Sequence, residues 1–282
     1  MKILVTGVKG QLGFDVVKEC NKRGIETVGV DIEEMDITNA QIVSEVITNS
    51  NVDAVIHCAA YTAVDKAEDN KELCHKINVE GTKNIAQVCQ KLNLKMMYFS
   101  TDYTFNGAGT KPWLTSDKPD PINYYGLTKY EGELEVIKYV KNYFILRISW
   151  VFGINGKNFI NTMLRLGKEN GKVRVVSDQI GSPTYTIDLA RLIVDMIQTD
   201  KYGIYHTPNT GYVSWYEFAK EIFKQANMQV EVTPITTESY PSRAKRPLNS
   251  RLDQSTLISN GFTPLPTWQD ALSRYLKQKI YG

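Results

Sequence analysis

Three residues of the chain, Thr101, Tyr125 and Lys129, have side chains that could together move a proton onto a ketone oxygen. Tyr125 and Lys129 are four residues apart, so on a helix they share one face. A lysine ammonium beside a phenol favours the phenolate, and we therefore expect Lys129 to lower the pKa of Tyr125 toward working pH. Such a tyrosine can protonate the alkoxide that forms when hydride adds to a ketone. The Thr101 hydroxyl would orient the same oxygen.

The spacing of the pair does not identify it, because Tyr216 and Lys220, and Tyr275 and Lys279, have the same spacing. The first of these tyrosines lies inside an amphipathic helix pattern and the second close to the C-terminus, where we expect surface roles. Tyr125 differs because it follows a fourth predicted strand and a hydroxyl residue. It is therefore the candidate proton donor.

A second chemical feature is the turn that contains Gly7, Gly10 and Gly13. Between a strand and a helix, the first glycine allows a tight turn, the second lets backbone N–H groups approach a pyrophosphate, and the third lets helix and sheet pack closely. The alternative is a glycine-rich turn that serves packing only. Its N-terminal position after a strand favours a dinucleotide site.

Two further segments belong to the same predicted site. Asp31 closes the second strand, where a carboxylate accepts hydrogen bonds from an adenosine ribose and repels a 2′-phosphate, which favours NADH over NADPH. The alternative is that Asp31 only caps the next segment. The small residues Ala59 and Ala60 would let the backbone lie against the cofactor, with Thr62 as a phosphate partner. His57 is interpreted as a hydrogen-bonded structural histidine.

The elements that must position these residues alternate between short apolar runs and amphipathic segments, which predicts an α/β fold with a doubly wound parallel sheet. Such sheets bind ligands beyond the C-terminal ends of their strands, so each candidate residue should follow a strand. Leu73, Ile77, Ile85, Val88 and Leu92 are predicted to form one buried helical stripe. The predicted strands are 2–6, 26–30, 53–58, 95–100 and 144–149, and the predicted helices are 11–23, 39–49, 69–92 and 125–139.

After residue 150 the alternation weakens, which predicts a smaller α/β lobe laid over the sheet. Residues 1–150 are predicted to form the dinucleotide-binding Rossmann domain, to which segments around 173–200 return. Residues 151–282 are predicted to form mainly a substrate-binding lobe. Within it, Ser214 and Glu217 have the spacing of a capping box that begins a helix over 214–226. Residues 234–247 form a loop-like, basic segment.

Composition excludes several classes of protein. Of the 282 residues, 42% are hydrophobic and 23% charged, and the net charge is +2, so no strong field attracts nucleic acid. No apolar stretch approaches the ~20 residues that cross a bilayer. The apolar run at the N-terminus is too short for a signal peptide. The four cysteines form no metal-like cluster, which is typical of reduced thiols in the cytoplasm. We expect no nucleic-acid partner, no membrane association and no metal.

Several blocks of the sequence resemble the dTDP-4-dehydrorhamnose reductase family, within the extended short-chain dehydrogenases/reductases. The resemblance covers nearly the whole chain, and the blocks after Trp150 make it specific, because the first-half motifs also occur in many sugar-nucleotide epimerases and dehydratases. The blocks are GQLG at 10–13, AAYTAVDKAE at 59–68, STDYTFNG at 100–107, YYGLTKYEGE at 124–133, RISWVFG at 147–153, DQIGSPTY at 178–185 and RPLNSRLD at 246–253.

The resemblance implies roles for individual residues. Tyr125 would be the proton donor, Lys129 its pKa partner and a nicotinamide-ribose ligand, and Thr101 the residue that tunes the substrate oxygen. The basic residues 243–246 could meet a diphosphate, although a solvated loop explains them equally well. The implied dinucleotide contacts are Gly10, Gln11, Leu12, Asp31, Asp36, Ile37, Ala60, Tyr61 and Thr62. The implied sugar-nucleotide contacts are Thr101, Asp102, Tyr103 and Trp150.

The activity implied by the resemblance is reduction of the C4 ketone of dTDP-4-dehydro-L-rhamnose by NADH, with NADPH as a second cofactor, in a cytoplasmic enzyme that could be a homodimer. His57 and Tyr61 depart from residues frequent in the family, which bears on cofactor detail only. Two alternatives stay open at this point. One is a reductase or epimerase of another sugar nucleotide. The other is a non-catalytic dinucleotide-binding subunit like the regulatory subunit of methionine adenosyltransferase.

Overall fold

The computed structural model describes residues 1–281, in which strands and helices alternate along the first two thirds of the chain. The strands are β1 (Lys2–Thr6), β2 (Glu26–Val30), β3 (Ala54–His57), β4 (Lys95–Thr101), β5 (Tyr143–Ile148), β6 (Val151–Phe152), β7 (Lys172–Val176), β8 (Ile180–Gly181), β9 (Thr184–Tyr185), β10 (Gly203–His206), β11 (Asn209–Thr210), β12 (Val213–Ser214), β13 (Glu231–Ile235), β14 (Asn249–Ser250) and β15 (Leu265–Thr267). The helices are α1 (Gln11–Lys22), α2 (Ala40–Ser50), α3 (Val64–Ala67), α4 (Lys71–His75), α5 (Thr82–Leu92), α6 (Tyr124–Tyr139), α7 (Phe159–Asn170), α8 (Thr186–Ile197), α9 (Trp215–Gln225), α10 (Ser255–Ser259) and α11 (Trp268–Tyr281).

The main sheet has six strands in the order β10-β5-β4-β3-β1-β2, and every neighbouring pair is parallel. The predicted doubly wound parallel sheet is therefore confirmed. The chain passes from β1 to β2 on one side and then returns to β3 on the other side of β1. Ligands of such sheets bind where the strand order reverses in this way, which here is the C-terminal edge of β1 and β3.

Both faces of the sheet are covered, as parallel sheets require. Successive residues of β1 point to opposite faces, so Ile3 and Val5 join one apolar core with α1 and α8, and Leu4 joins the other core with α2, α5 and α6. A third core is formed by α7, α9 and α11 around Phe152 and Phe218. This third core belongs to the second half of the chain.

The predicted helix over 69–92 is interrupted. Its residues form α4, a π-helix over Lys76–Gly81, and α5. Each π-turn holds an extra residue, so the buried stripes before and after it are not in line. The prediction that Leu73 and Leu92 are buried is consequently wrong: they are 49% and 36% exposed, whereas Ile85 and Val88 are buried as predicted.

The second half contains short strands in small sheets. β7 pairs with β13, β8 lies between β12 and β14, and α8 packs on α1 of the first half. The predicted capping box is confirmed, because the Ser214 hydroxyl accepts from Glu217 N–H and the Glu217 carboxylate accepts from Ser214 N–H. The expectation of a surface role for Tyr275 is wrong: it is fully buried, and its hydroxyl bonds with Asn158 and Asn161.

Candidate active site

The glycine turn joins β1 to α1 in a conformation that only glycine adopts easily. Gly7 has a φ of +67°, and Gly10 N–H donates to the Gly7 carbonyl at 3.0 Å. A Cβ on Gly7 would lie 2.8 Å from Ala59 N, and one on Gly13 would lie 2.3 Å from the Gly7 carbonyl oxygen. The glycines therefore bring β1, α1 and the segment after β3 into contact at the reversal point of the sheet.

The N-terminus of α1 suits an anion. Its N-cap residue is Gly10, so no side chain caps the first-turn N–H groups, and the first turn has no acidic residue. Unpaired N–H groups and the positive end of the helix dipole together bind phosphate. The turn and helix end therefore fit the pyrophosphate of a dinucleotide. Gln11 lies at this end, but its side-chain oxygen accepts from Gly153 N–H at 2.9 Å and so bridges to the second half of the chain. Leu12 is buried in the core behind the turn.

Asp31 follows β2 and lies beside the glycine turn. Its carboxylate accepts from the N–H groups of Lys9 and Ile32, both at 2.9 Å, so it closes the loop and caps its own segment at the same time. Asp36 accepts from Thr38 N–H and hydroxyl in a local turn. Ile37 is buried, and a Cβ on Gly81 would meet it at 2.7 Å. Asp31 was predicted to contact the adenosine ribose, and the resemblance implied Asp36 and Ile37 as further dinucleotide contacts.

The segment after β3 is held by a residue that the sequence analysis missed. Ala59 N–H donates to the Thr6 hydroxyl, and Tyr61 pairs through both its N–H (2.8 Å) and its carbonyl (3.2 Å) with the side-chain amide of Asn78. Asn78 lies in the π-helix, a feature that recurs at functional sites. This pairing fixes the backbone of residues 59–61, whereas Thr62 is exposed.

His57 is confirmed as a structural histidine. Its two ring nitrogens lie 2.8 Å from the Thr6 hydroxyl and 3.2 Å from the Thr82 hydroxyl, and the side chain is 2% exposed. Burial lowers the pKa of His57 to about 3, and the nearby Lys129 charge acts in the same direction. The ring is therefore neutral and links β1, β3 and α5.

The candidate catalytic residues come together at the ends of β4 and α6. Thr101 is the last residue of β4, and Tyr125 lies in the first turn of α6, where Asn123 caps the helix by accepting from Gly126 N–H at 2.8 Å. A Cβ on Gly126 would lie 2.1 Å from the Tyr103 carbonyl oxygen, so the glycine lets α6 approach the end of β4. Tyr125 and Lys129 are carried by α6, so the expectation that each candidate residue follows a strand is wrong for these two.

The pKa of Tyr125 is raised, so the expectation that Lys129 lowers it toward working pH is wrong for this structure. Burial of the phenolate raises it most, the Asp102 carboxylate adds to that effect, and a hydrogen bond with Thr101 opposes it. The physical reason is that the half-buried phenol has lost part of its contact with water, which disfavours its charged form. Tyr125 is held as a neutral phenol, which is the form that can give up a proton.

Lys129 is 3% exposed, and its Nζ lies 4.0 Å from the centre of the Tyr98 ring. Burial lowers the pKa of Lys129 to about 7, against the attraction of Glu133.

Asp102 is also buried, and its Oδ1 accepts from the Thr101 hydroxyl at 2.9 Å. Its Oδ2 has no hydrogen-bond partner within residues 1–281, and burial raises the pKa of Asp102 to about 6. This oxygen is thus a buried acceptor without a hydrogen-bond partner, directly after the end of β4.

Aromatic and basic side chains lie on the far side of these residues. The Tyr103 ring meets the Tyr125 ring edge-on at 5.8 Å, and the Tyr103 hydroxyl accepts from Arg246 at 3.1 Å. Arg246 also pairs with Asp65 at 2.6 Å. Of the basic segment noted in the sequence, Arg246 is thus the residue that reaches the site, and Arg243 pairs instead with Asp69.

Trp150, which follows β5, has a φ of +50°, which is uncommon for a bulky residue. Its indole stacks on that of Trp215 at 3.7 Å with an angle of 16° between the rings. Trp215 is the first residue of α9 and was missed in the sequence analysis, because only its helical periodicity was visible. The stack fixes the direction of an indole that the resemblance assigned to the substrate.

Among the residues that the structure describes, no group of three His, Cys, Asp or Glu side chains could hold a metal ion. The four cysteines are free thiols, and burial raises the pKa of each. In the described residues no helix is long and apolar enough to cross a membrane.

Comparison with known proteins identifies relatives over the full length of the chain. Residues 1–280 match the family described as the RmlD substrate binding domain. The chain is 37% identical to the spore coat polysaccharide biosynthesis protein SpsK of Bacillus subtilis, over 99% of this chain and 98% of that protein. It is 40% identical to a dTDP-4-dehydrorhamnose reductase of Aggregatibacter actinomycetemcomitans, over 96% and 97%. The crystal structure of a dTDP-4-dehydrorhamnose reductase from Bacillus anthracis in complex with NADP superposes with a TM-score of 0.96 at 43% identity, covering 98% of this chain and 99% of that one.

Proposed function

We propose a sugar-nucleotide reductase function from one premise, that the chain belongs to the RmlD substrate binding domain family. The reaction is the NAD(P)H-dependent reduction of the C4 ketone of dTDP-4-dehydro-L-rhamnose to dTDP-L-rhamnose. The observation that carries the proposal is the juxtaposition of Thr101, Tyr125 and Lys129 beside a turn that fits a pyrophosphate. Relatives named for this reaction cover nearly the whole chain, which supports the substrate.

NAD(P)H, when bound, supplies the hydride. Tyr125, whose half-buried position raises its pKa and keeps it protonated, donates its phenol proton to the oxygen of the reduced ketone. The Thr101 hydroxyl orients that oxygen, and the charge of Lys129 stabilises the phenolate that remains. Lys129 would also hold the nicotinamide ribose. The dinucleotide itself would lie along the residues predicted to contact it: Gly7, Gly10, Gln11, Leu12, Asp31, Asp36, Ile37, Ala59, Ala60, Tyr61 and Thr62.

The substrate would lie between the catalytic residues and the second half of the chain. Asp102 Oδ2, buried and unpartnered among the described residues, is an acceptor for a sugar hydroxyl. The Trp150 indole suits the apolar face of a deoxysugar. Arg246, oriented by Tyr103 and Asp65, is a cation for the diphosphate. Asp31 favours NADH, while the relative crystallised with NADP supports use of NADPH as well.

Three broader features are proposed with it. Residues 1–150 form the dinucleotide-binding domain, with segments around 173–200 returning to it, and residues 151–282 form mainly the substrate lobe. The packing of α8 on α1 supports this return, whereas β7 at the start of the same segment pairs with β13 and packs in the third core. A homodimer is supported by an exposed apolar stripe on α6, formed by Leu127, Leu134 and Ile137. A cytoplasmic location is supported by the four free cysteines, which are typical of reducing compartments.

The direct test mixes purified protein with NADH or NADPH and enzymatically generated dTDP-4-dehydro-L-rhamnose, and follows the absorbance of the reduced nicotinamide. We expect loss of this absorbance together with formation of dTDP-L-rhamnose. Absence of turnover with both cofactors, in protein shown to bind dinucleotide, would contradict the proposal. A panel of other keto-sugar nucleotides and a search for a stoichiometric partner protein would then distinguish a different substrate from a regulatory subunit.

A further inference from the structure

A buried ion pair lies behind the catalytic residues. Its two partners fall within the sequence blocks 124–133 and 147–153, but neither was assigned a role there. Arg147 on β5 donates to both carboxylate oxygens of Glu133 on α6, from Nε at 2.9 Å and from Nη2 at 2.7 Å. The two side chains are 2% and 1% exposed. Two charges withdrawn from water this completely are costly, and a buried pair is often no more stable than apolar residues of the same size. Its contribution to the fold alone is therefore a weak explanation.

The position of Glu133 on its helix suggests what the pair does. Tyr125, Lys129 and Glu133 are spaced four residues apart on α6, so they follow one another along a single face. Lys129 stands between the phenol and the carboxylate, one helical turn from each. A charge on Glu133 is thus within reach of the Lys129 ammonium, and Arg147 approaches the same carboxylate from the sheet.

The charge balance around Lys129 depends on Glu133. Burial disfavours the ammonium, and Glu133 is the largest of the influences that oppose this effect. Six titratable groups surround Lys129. They lie on α6, β3, the segment after β3, β4 and α4, and they are Glu133, Tyr125, His57, Cys58, Tyr98 and Cys74. Burial holds the histidine, both tyrosines and both thiols in their neutral forms near neutral pH. Of these six, Glu133 is the group that is paired with a cation, the Arg147 guanidinium.

We propose that Glu133 is a positioning residue for the reduction, whose carboxylate, oriented by Arg147, keeps Lys129 in its charged form next to Tyr125. The proposal rests on the reductase function given above. Arg147 has two effects in it: it fixes the carboxylate by its two-pronged hydrogen bond, and its positive charge offsets part of the attraction between Glu133 and Lys129. The pair therefore sets the charge of Lys129 from both directions.

The two partners should consequently act in opposite directions. Glu133→Gln keeps the side-chain shape but removes the attraction, so Lys129 loses its proton at lower pH. Arg147→Met replaces the guanidinium, whose carbon lies 5.1 Å from the centre of the Phe105 ring, by an apolar side chain. Lys129 is then the cation that remains for Glu133, so Lys129 keeps its proton to higher pH. An opposite charge one helical turn away is expected to alter the ratio of charged to neutral amine about tenfold at a given pH.

The first measurement is an NMR titration of the protein without cofactor, with lysines labelled with 13C at Cε and the Lys129 signal assigned from Lys129→Met. We expect the titration midpoint of Lys129 to be lower in Glu133→Gln than in the unmodified protein, and higher in Arg147→Met. Because breaking a buried pair is strongly destabilising, the double variant Glu133→Gln/Arg147→Met serves if a single variant does not fold. Its midpoint should lie below that of the unmodified protein, since Glu133 is one helical turn from Lys129 on α6, whereas Arg147 lies on β5 and acts through Glu133.

The second measurement is the pH profile of kcat for the reduction. Its alkaline limb should move to lower pH in Glu133→Gln and to higher pH in Arg147→Met, whereas a pair with a structural role only would lower activity in both variants without moving the limb. Glu169→Gln, which breaks the exposed pair with Arg165 at 2.6 Å on α7, is the matched control and should change neither readout. Unchanged Lys129 midpoints, or shifts in the same direction, would overturn the inference. An unmodified protein that reduces no keto sugar would overturn the reductase function, and the NMR titration would still decide this inference.

Discussion

The two sides of the candidate site differ in the kind of group that they present, backbone on one side and side chains on the other. On the side proposed for the cofactor, the candidate binding groups are mainly backbone: the glycine turn with Gly7 at φ +67°, the uncapped N-terminus of α1, and the segment 59–61 held through its N–H and carbonyl groups. On the side proposed for the substrate, the candidates are side chains from separate elements, such as Tyr103, Arg246 and Trp150. A backbone site depends on local turn geometry, whereas a side-chain site depends on how remote segments pack.

The chemical step belongs to the side-chain half, and Tyr125→Phe tests this division most strongly. Removing the phenol oxygen removes the proton donor, so turnover should fall by about 10²- to 10⁴-fold. Dinucleotide affinity, measured by fluorescence titration, should be largely unchanged, because the turn after β1 is intact. Tyr124→Phe is the matched control, since Tyr124 lies next to Tyr125 and is half-buried under Lys71. Substantial activity in Tyr125→Phe would contradict the role of Tyr125.

The backbone half is tested by Gly13→Ala. The added Cβ would lie 2.3 Å from the Gly7 carbonyl oxygen, so the turn must shift. Overpacking of this kind costs about 1–3 kcal/mol, and we expect dinucleotide affinity to fall about tenfold. Gly24→Ala provides the control: its φ of +69° is strained for alanine, but no atom lies within 4 Å of the added Cβ, so stability should fall while affinity is retained. Equal loss of affinity in both variants would argue against a dinucleotide at this turn.

Trp215→Leu sharpens the comparison on the substrate side. Loss of the stack on Trp150 removes about 0.5–1.5 kcal/mol of aromatic contact, so the KM for the sugar nucleotide should rise about fivefold. The kcat and the dinucleotide affinity should change little, because neither indole lies in the glycine turn. The effect is measured by steady-state kinetics, with Tyr216→Leu, at the next residue of the same helix, as the control. A KM that does not rise in Trp215→Leu would mean that Trp150 takes no part in substrate binding.

The smallest effect is expected for Asp31→Ala at the edge of the cofactor side. The carboxylate that would repel a 2′-phosphate is removed, and its partial exposure limits the gain to about 1 kcal/mol or less. The ratio of kcat/KM for NADPH to that for NADH should therefore rise about threefold. Asp53→Asn, at the opposite end of the strands where the carboxylate caps Lys2 N–H, should leave the ratio unchanged. An unaltered ratio in Asp31→Ala would mean that Asp31 serves only its loop.

Much of the cofactor side could be predicted because its determinants are adjacent in sequence. The strand–turn–helix with glycines at 7, 10 and 13, the position of Asp31 after β2 and the cap at Ser214 are all recognised over a few residues. Where prediction failed, an effect of packing intervened. The π-turn at Lys76–Gly81 put the buried stripes out of line, so Leu73 and Leu92 are exposed. Asn78 was missed because its partner, Tyr61, is 17 residues away.

The sequence by itself determined the alternation of strands and helices, the glycine turn and the four-residue spacing of Tyr125, Lys129 and Glu133, since each follows from local periodicity. Only the tertiary structure decided which charges face one another. The pairing of Glu133 with Arg147, the contact of Arg246 with Tyr103 and the stack of Trp150 on Trp215 join residues brought together by folding. The raised pKa of Tyr125 has the same origin, because burial depends on what the remainder of the chain places around the phenol.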